Sequence, residues 1–97
     1  MTATPVAVTL AKHLTPSDDV LAQEVGDEVV LLDLASERYF GLDPVGTRIW
    51  TLLPDCSNLD AVLAQLCAEF DAPREQIESD LLALANSLAE AGLVTVD

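Results

Sequence analysis

The sequence predicts an α+β domain in which a three-stranded antiparallel sheet is followed by three helices, in a winged helix-turn-helix-like order. Short apolar segments separated by turn residues fill positions 20–42, and amphipathic helical repeats fill positions 44–91. The sequence contains no strand–helix–strand alternation and no glycine-rich phosphate loop. Because 51% of the 97 residues are hydrophobic but only four are aromatic, the core must be built mainly from aliphatic side chains.

The first 19 residues differ in character from the rest. They contain Pro5, Pro16 and the polar group from Thr15 to Asp19, which predicts a loosely held arm with one short strand around positions 7–10. The apolar strand pattern begins at Val20, so residues 20–97 are expected to form the folded domain.

A β-hairpin is predicted next. VLAQEV (20–25) is followed by the turn residues Gly26 and Asp27 and then by EVVLLDL (28–34). In the second strand the apolar run is continuous rather than alternating. We therefore expect both of its faces to be covered, one by helices and the other by the arm or a partner.

A third short strand is predicted from Arg38 to Leu42, after a small polar turn. Alternation along this strand puts Phe40 and Leu42 on the core face and Tyr39 and Gly41 on the opposite face. A glycine inside a strand indicates either a bulge or the close approach of another backbone. The three strands together predict an antiparallel meander.

The first helix is predicted to begin with Asp43 as its N-cap and Pro44 at the first helical position, and to end at about Leu53. Two amphipathic helices follow, at about 59–70 and 74–91, with a polar cap before the former and Gly92 closing the latter. The remaining apolar tail, Leu93 to Val96, is expected to pack against the domain.

The charge excludes several classes of partner. Seventeen acidic residues against four basic ones give a formal net charge of −13, which repels nucleic acid and anionic membranes and favours cationic peptides or proteins. A winged helix that reads DNA needs basic or amide side chains on its recognition helix. The third helix offers only Arg74, Gln76 and Asn86 among several carboxylates.

Catalytic and metal-binding groups are scarce. Cys56 and Cys67 do not form a CxxC pair, and His13 is the sole histidine, so the sequence predicts neither a metal site nor a nucleophilic triad. The N-terminal residues contain one cation and no sustained apolar run, which excludes a signal peptide or a membrane span there. A cytoplasmic location is expected.

A family resemblance emerges at LLDLASERYFGLDPVGTRIW, residues 31–50. An apolar strand ending in Asp-Leu, a small turn, a Tyr-Phe strand and a Leu-Asp-x-x-Gly segment precede an Ile-Trp helix. In this order the chain resembles the PqqD-like family, the precursor-peptide recognition elements of ribosomal peptide natural-product (RiPP) pathways. The matching residues are Leu32, Asp33, Leu34, Tyr39, Phe40, Leu42, Gly46, Ile49 and Trp50, with Leu88, Gly92 and Leu93 resembling the family's closing motif; Asp43 stands where many members have Asn.

The resemblance implies that the third strand accepts a leader peptide as an additional antiparallel strand, in a groove walled by the third helix. The candidate peptide-binding residues are Arg38, Tyr39, Phe40, Gly41, Ile77, Asp80, Leu81 and Leu84. Plain core packing is the alternative role for the apolar members of this set. Asp80 is singled out because its carboxylate is suited to a leader lysine, with a solvated helix face as the alternative.

The expected function is therefore non-enzymatic. The protein would bind the leader of a precursor peptide and present it to a separate leader protease or modifying enzyme, without metal or cofactor and without nucleic-acid or membrane partners. Because the sequence ends just past its Gly-Leu, a standalone protein is expected, as found in lasso-peptide clusters. The alternatives are a small acidic protein–protein adaptor and a transcription-factor-like winged helix.

Overall fold

The computed structural model describes residues 8–96. The elements run β1 to β4, then three helices, then β5, with a single 3-10 turn between the first two helices. Their bounds are β1 Leu14–Pro16, β2 Val20–Val25, β3 Glu28–Asp33, β4 Arg38–Gly41, α1 Pro44–Leu52, α2 Leu59–Glu69, α3 Arg74–Glu90 and β5 Val94–Val96.

The predicted α+β class and the three-stranded meander are confirmed. Strands β2, β3 and β4 form an antiparallel sheet in that order, with Leu21 opposite Leu32 and Leu32 opposite Tyr39. The register runs through Gly41 without interruption, so this glycine does not mark a bulge. Nothing lies within 4 Å of the position that a Cβ on Gly41 would occupy.

The helices cover one face of this sheet. Val29 and Leu31 of β3 are 6% and 0% exposed and belong to the core, and Phe40 and Leu42 pack with them as the alternation predicts. The expectation that the arm covers the other face of β3 is wrong for residues 8–19, whose strand β1 pairs with β5 instead, and cover by a partner stays a prediction. Val30 and Leu32, which point away from the helices, are only half-buried, because none of the described elements packs over that face.

The arm contributes a strand, but not where the sequence placed it. Residues 8–10 form no strand, and residue 7 lies outside the described residues. The strand is β1, which pairs with the C-terminal β5 in a separate two-stranded sheet. Leu14 of β1 is completely buried, so this part of the arm packs with the domain and the apolar tail packs with it.

The helix boundaries follow the capping signals. Asp43 accepts a hydrogen bond from the backbone N–H of Gly46, and Asn58 accepts one from Ala61, at 2.7 and 2.9 Å. Each carboxamide or carboxylate satisfies a donor that the helix itself leaves unpaired. After α3 the chain turns at Gly92, whose positive φ of 76° suits a residue without a Cβ.

The core lies between the helices and the inner face of the meander. Its fully buried members include residues from all three helices and from β1, β3 and the C-terminal tail, among them Leu14, Leu31, Ile49, Leu63, Leu81 and Leu93. Within residues 8–96, no helix has the length and apolar character needed to cross a membrane.

Candidate functional site: the edge of strand β4 and the adjoining cleft

Strand β4 lies at the edge of the sheet. Among the described strands, only β3 pairs with it. The backbone N–H of Leu42 donates to the Val29 carbonyl at 2.8 Å, which fixes the alternation of the ladder. Arg38, Phe40 and Leu42 therefore direct their backbone groups toward β3, whereas Tyr39 and Gly41 direct theirs outward.

The turn that leads into β4 is built by Asp33. This residue is only 8% exposed, and its carboxylate accepts hydrogen bonds from the Ala35 backbone at 3.1 Å and from the Ser36 hydroxyl at 2.8 Å. Glu37 adopts a left-handed conformation with φ of 60°. The aspartate thus ends β3 and returns the chain so that β4 starts in register.

Thr47 fixes helix α1 against the sheet. Its hydroxyl oxygen accepts a hydrogen bond from the Val29 backbone N–H at 3.0 Å and lies 3.4 Å from the Leu42 carbonyl oxygen. The side chain therefore occupies the position at which the β3–β4 ladder would otherwise continue. The start of α1 is held in this way directly beyond the end of β4.

A cleft of about 250 Å³ lies between the start of α1 and the middle of α3, beginning two residues after β4 ends. The residues that line it are Asp43, Val45, Gly46, Ile49, Asp80, Ala83 and Leu84. Gly46 permits the two helices to approach closely: a Cβ at this position would stand 3.4 Å from Leu84 Cδ2 and 3.1 Å from Asp43 Oδ1. A side chain at this position would press on the capping carboxylate of Asp43 and touch Leu84.

The cleft combines an apolar floor with an acidic margin. Leu84 and Val45 are half-buried, while Asp43 and Asp80 are exposed. Asp43 accepts the N-cap hydrogen bond of α1, and Asp80 Oδ1 accepts one from Gln76 Nε2 at 3.0 Å. The arrangement suits an aliphatic or aromatic group with a neighbouring cation.

A second depression, of about 390 Å³, lies at the other side of the β4 terminus. It is lined by Val25, Glu28, Val29, Val30, Gly41, Leu42 and Asp43. Asp43 lines both depressions, so the open end of β4 leads from one into the other. An extended chain running along the strand edge would meet both.

The structure separates the predicted site residues into three groups. Arg38, Tyr39 and Gly41 are exposed on β4, and Phe40 is half-buried against the core. Asp80 and Leu84 line the cleft. Ile77 and Leu81 are 5% and 0% exposed and belong to the core.

Sequence reasoning missed five cleft-lining residues: Asp43, Val45, Gly46, Ile49 and Ala83. Asp43 and Gly46 were identified only as a cap and a motif residue. The signal that could have found Gly46 is its place in the first turn of a helix, where a glycine is unfavourable unless another element comes close. Ala83 carries no such signal.

Two other features lie outside this site. The guanidinium of Arg48 on α1 forms a two-pronged ion pair with Glu69 on α2, with both hydrogen bonds at 2.7 Å, and together with a bond from Gln65 it lowers the pKa of Glu69 to about 2. Both cysteines are free thiols. Within residues 8–96, no cluster of three or more His, Cys, Asp or Glu side chains could hold a metal ion.

An antiparallel meander with β4 at an open edge, backed by three helices and flanked by a cleft, defines the class to which this molecule belongs: small α+β domains suited to capturing an extended chain. Residues 28–94 match the profile of one such family, described as coenzyme PQQ synthesis protein D (PqqD). Since this is more than half of the sequence, the chain belongs to the PqqD family.

Curated relatives agree with this assignment. The chain is 30% identical over 94 residues to the PqqA binding protein of Gluconobacter oxydans (strain 621H), covering 90% of this chain and 98% of that protein. It is 31% identical over 62 residues to the PqqA binding protein of Rhodopseudomonas palustris (strain BisB5), covering 64% and 61% of the two chains. Both relatives are named for binding PqqA.

Solved structures with the same fold include two complexes. TbiB1 in complex with the TbiA(beta) leader peptide superposes with a TM-score of 0.76 at 40% identity, covering 82% of this chain and 93% of TbiB1. Lasso peptide synthetase B1 complexed with the leader peptide gives a TM-score of 0.77 at 26% identity, covering 86% and 98%. In each case the fold is that of a protein with a leader peptide bound.

Proposed function

We propose that this protein binds the leader region of a ribosomally made precursor peptide by strand addition to β4 and presents it to a separate processing enzyme. The observation that carries the proposal is the outward-facing backbone of Tyr39 and Gly41, on an edge to which no described strand is added. An unpaired edge accepts any extended chain through main-chain hydrogen bonds, so pairing itself requires no special partner side chain.

Backbone pairing alone is too weak for useful affinity. Tyr39 and Gly41 together offer two donors and two acceptors, and at about 1 kcal/mol net for each hydrogen bond they supply roughly 4 kcal/mol. Micromolar binding requires about 8 kcal/mol, in addition to ordering the peptide. The rest must come from buried side chains, each contributing about 1.5–3 kcal/mol.

The cleft between α1 and α3 supplies the side-chain pocket in this proposal. Leu84 and Val45 contact an apolar anchor of the leader, and Asp80 at the margin pairs with a leader lysine. Tyr39 projects from β4 beside the added strand, where it is 72% exposed in the absence of peptide. Ile77 and Leu81 take an indirect part, because as core residues they hold α3 in position.

The added strand runs antiparallel to β4. Its N-terminal residues then lie near Gly41 and the cleft, and its C-terminal residues lie near Arg38. The core peptide that follows the leader therefore leaves the domain at the Arg38 end. This polarity determines where a processing enzyme has to act.

The protein itself has no catalytic role in this proposal. It delivers its cargo to a leader protease or other modifying enzyme. The likeness to lasso peptide synthetase B1 with its leader peptide supports a lasso-peptide pathway. Two free thiols accord with a reducing compartment, and we place this step in the cytoplasm.

Proline substitution along β4 tests the proposal, with fluorescence anisotropy of the labelled leader peptide encoded in the same gene cluster as the readout. Proline at Tyr39 or Gly41 removes an outward N–H, so the leader Kd is expected to rise at least tenfold with the fold intact. Proline at Arg38 or Phe40 removes a bond of the β3–β4 ladder and is expected to lower stability. Unchanged leader affinity in folded Tyr39→Pro and Gly41→Pro variants contradicts strand addition, and binding of duplex DNA by the wild type would favour the transcription-factor alternative.

A further inference from the structure

The outer face of the meander carries an apolar patch that shares only Tyr39 with the peptide site. Leu21, Leu32 and Tyr39 are directly opposite one another across the three strands. Leu34 follows two residues after Leu32 and lies on the same side of the sheet. These four residues, the outer patch, point away from the helices and the core.

The outer patch is unusually exposed for residues of its kind. Leu21, Leu34 and Tyr39 are 53%, 51% and 72% exposed. In the described part of the chain the one other exposed large hydrophobic residue is Val25, at 59%, and it lies on the same face at the hairpin end. A depression of about 380 Å³ is lined by Leu32, Leu34, Glu37 and Tyr39. Contiguous exposed apolar surface of this kind marks an interaction site.

The position of the outer patch relates it to the peptide. This step rests on the proposed function: a leader added antiparallel to β4 directs its C-terminal end, and thus the core peptide, past Arg38. The outer patch lies at this end, because Tyr39 neighbours Arg38 and Leu34 lies in the turn that precedes it. A protein seated on the patch would stand at the end of the sheet from which the core peptide leaves the domain.

The charges around the outer patch restrict its occupant. Asp18, Asp19 and Glu37 are exposed and outnumber the neighbouring exposed cation Arg38. Glu37 lines the depression beside Leu34, and the Leu34 backbone N–H donates to the Asp19 carbonyl at 2.8 Å, which places Asp19 beside the patch. With a formal charge of −13, a second copy of the chain or an anionic membrane is repelled. A protein surface with an apolar centre and a basic rim is complementary.

We propose that the outer patch formed by Leu21, Leu32, Leu34 and Tyr39 is the docking surface for the enzyme that processes the bound precursor, through an apolar, basic-rimmed surface of that enzyme. The two binding events then use different parts of one sheet: the leader takes the edge of β4, and the enzyme takes the outer face at the end where the core peptide emerges. The patch is thereby assigned to delivery of the peptide rather than to its capture.

The test uses two readouts on the full chain. Leader affinity is measured by anisotropy of the labelled leader peptide, and enzyme affinity is measured by biolayer interferometry between the peptide-loaded chain and the purified leader-processing enzyme encoded in the same gene cluster. The double variant Leu21→Ser/Leu34→Ser is expected to keep the leader Kd within twofold and to raise the enzyme Kd at least tenfold. Val25→Ser, similarly exposed on the same face but at the opposite end, is the matched control for the enzyme readout and is expected to leave the enzyme Kd of the peptide-loaded chain unchanged.

A charge variant gives an independent check should the double variant be unstable. Asp18→Asn/Asp19→Asn is expected to weaken enzyme binding three- to tenfold at 50 mM salt and to have no effect at 500 mM salt, where surface charges are screened. Neither carboxylate belongs to the core, and both are exposed. Equal enzyme affinity at low salt contradicts the basic rim.

Several results overturn the inference. In the folded double variant, an unchanged enzyme Kd or a parallel loss of leader and enzyme affinity would contradict it. So would the absence of a complex between the enzyme and the peptide-loaded wild type. A wild-type dimer in sedimentation that is lost in the double variant would assign the patch to a second copy of the chain instead. Failure of the proposed function has a different signature, because the wild type would then not bind the leader at all.

Discussion

At the end of the β3–β4 ladder, the Thr47 hydroxyl takes the place of a strand carbonyl. It accepts a hydrogen bond from the Val29 backbone N–H at 3.0 Å. Val29 is 6% exposed, so this donor has no ready access to water. One helical side chain thus determines where α1 starts relative to β4, and with it the position of the cleft. The relationship joins the stability of the fold to the geometry of the proposed site.

Thr47→Val is expected to lower the free energy of unfolding by about 1–3 kcal/mol, because it keeps the shape of the side chain and leaves the Val29 N–H without a partner. Urea denaturation measures the change. Thr47→Ser retains the hydroxyl and is the matched control, with a smaller loss expected. Equal stability of the Val variant and the wild type would show that water satisfies the Val29 donor.

Gly46→Val is expected to destabilise the protein by about 1–3 kcal/mol, the usual range for overpacking a close contact. The first added carbon alone stands 3.1 Å from the capping carboxylate of Asp43 and 3.4 Å from Leu84. The control is Gly41→Val on β4, where nothing lies within 4 Å and a β-branched residue is favourable in a strand. Thermal denaturation distinguishes the two glycines, and an equal loss at both would contradict the close approach of α1 and α3.

The Arg48–Glu69 pair is expected to give a pH-dependent contribution to stability. The pKa of Glu69 is lowered from 4.5 to about 2, chiefly by the hydrogen bond from Arg48. A lowered carboxyl pKa stabilises the folded state fully above pH 4.5, and this contribution is lost as the pH falls from 4.5 through 2. Glu69→Gln is therefore expected to lower the Tm at pH 7 and to match the wild type near pH 2.

A control for the pH series is available in a second ion pair. Asp60 lies 3.8 Å from Arg74, and both side chains are more than 60% exposed, so screening by water leaves little interaction. Asp60→Asn removes the same charge as Glu69→Gln and is expected to lower the Tm less than Glu69→Gln at pH 7, because Asp60 contributes mainly through its place in the first turn of α2. If the Tm of Glu69→Gln differs from that of the wild type by the same amount at every pH, the ion pair is not the cause of the difference.

Leader affinity is expected to fall as salt rises, because the net charge of −13 attracts a lysine-bearing peptide that mobile ions screen. Isothermal titration calorimetry at 50 and 500 mM salt measures the slope. Asp80→Asn is expected to reduce the dependence of leader affinity on salt, since Asp80 lines the cleft. Asp71 lies on the exposed α2–α3 loop, so Asp71→Asn is the control and is expected to keep the wild-type salt dependence. A flat wild-type response would exclude electrostatic attraction.

Prediction succeeded wherever the controlling interactions were local. The meander follows from turn residues and strand patterns, and the starts of α1 and α2 follow from Asp43 and Asn58, which bond within their own first turns. Prediction failed for β1, because its partner strand lies about eighty positions away in the sequence: Leu14 pairs with Val96. No local pattern encodes such a partner.

The sequence alone determined that this chain is an acidic α+β domain with a third strand and an Ile-Trp helix of the PqqD pattern, because periodicity and capping depend on residues a few positions apart. Tertiary structure decided which backbone groups of β4 face outward, which α3 residues reach the cleft and which lie in the core. Ile77, Leu81 and Leu84 share one helical stripe, yet only Leu84 lines the cleft. Exposure on a stripe is set by the elements packed against it, and those contacts join residues far apart in the chain.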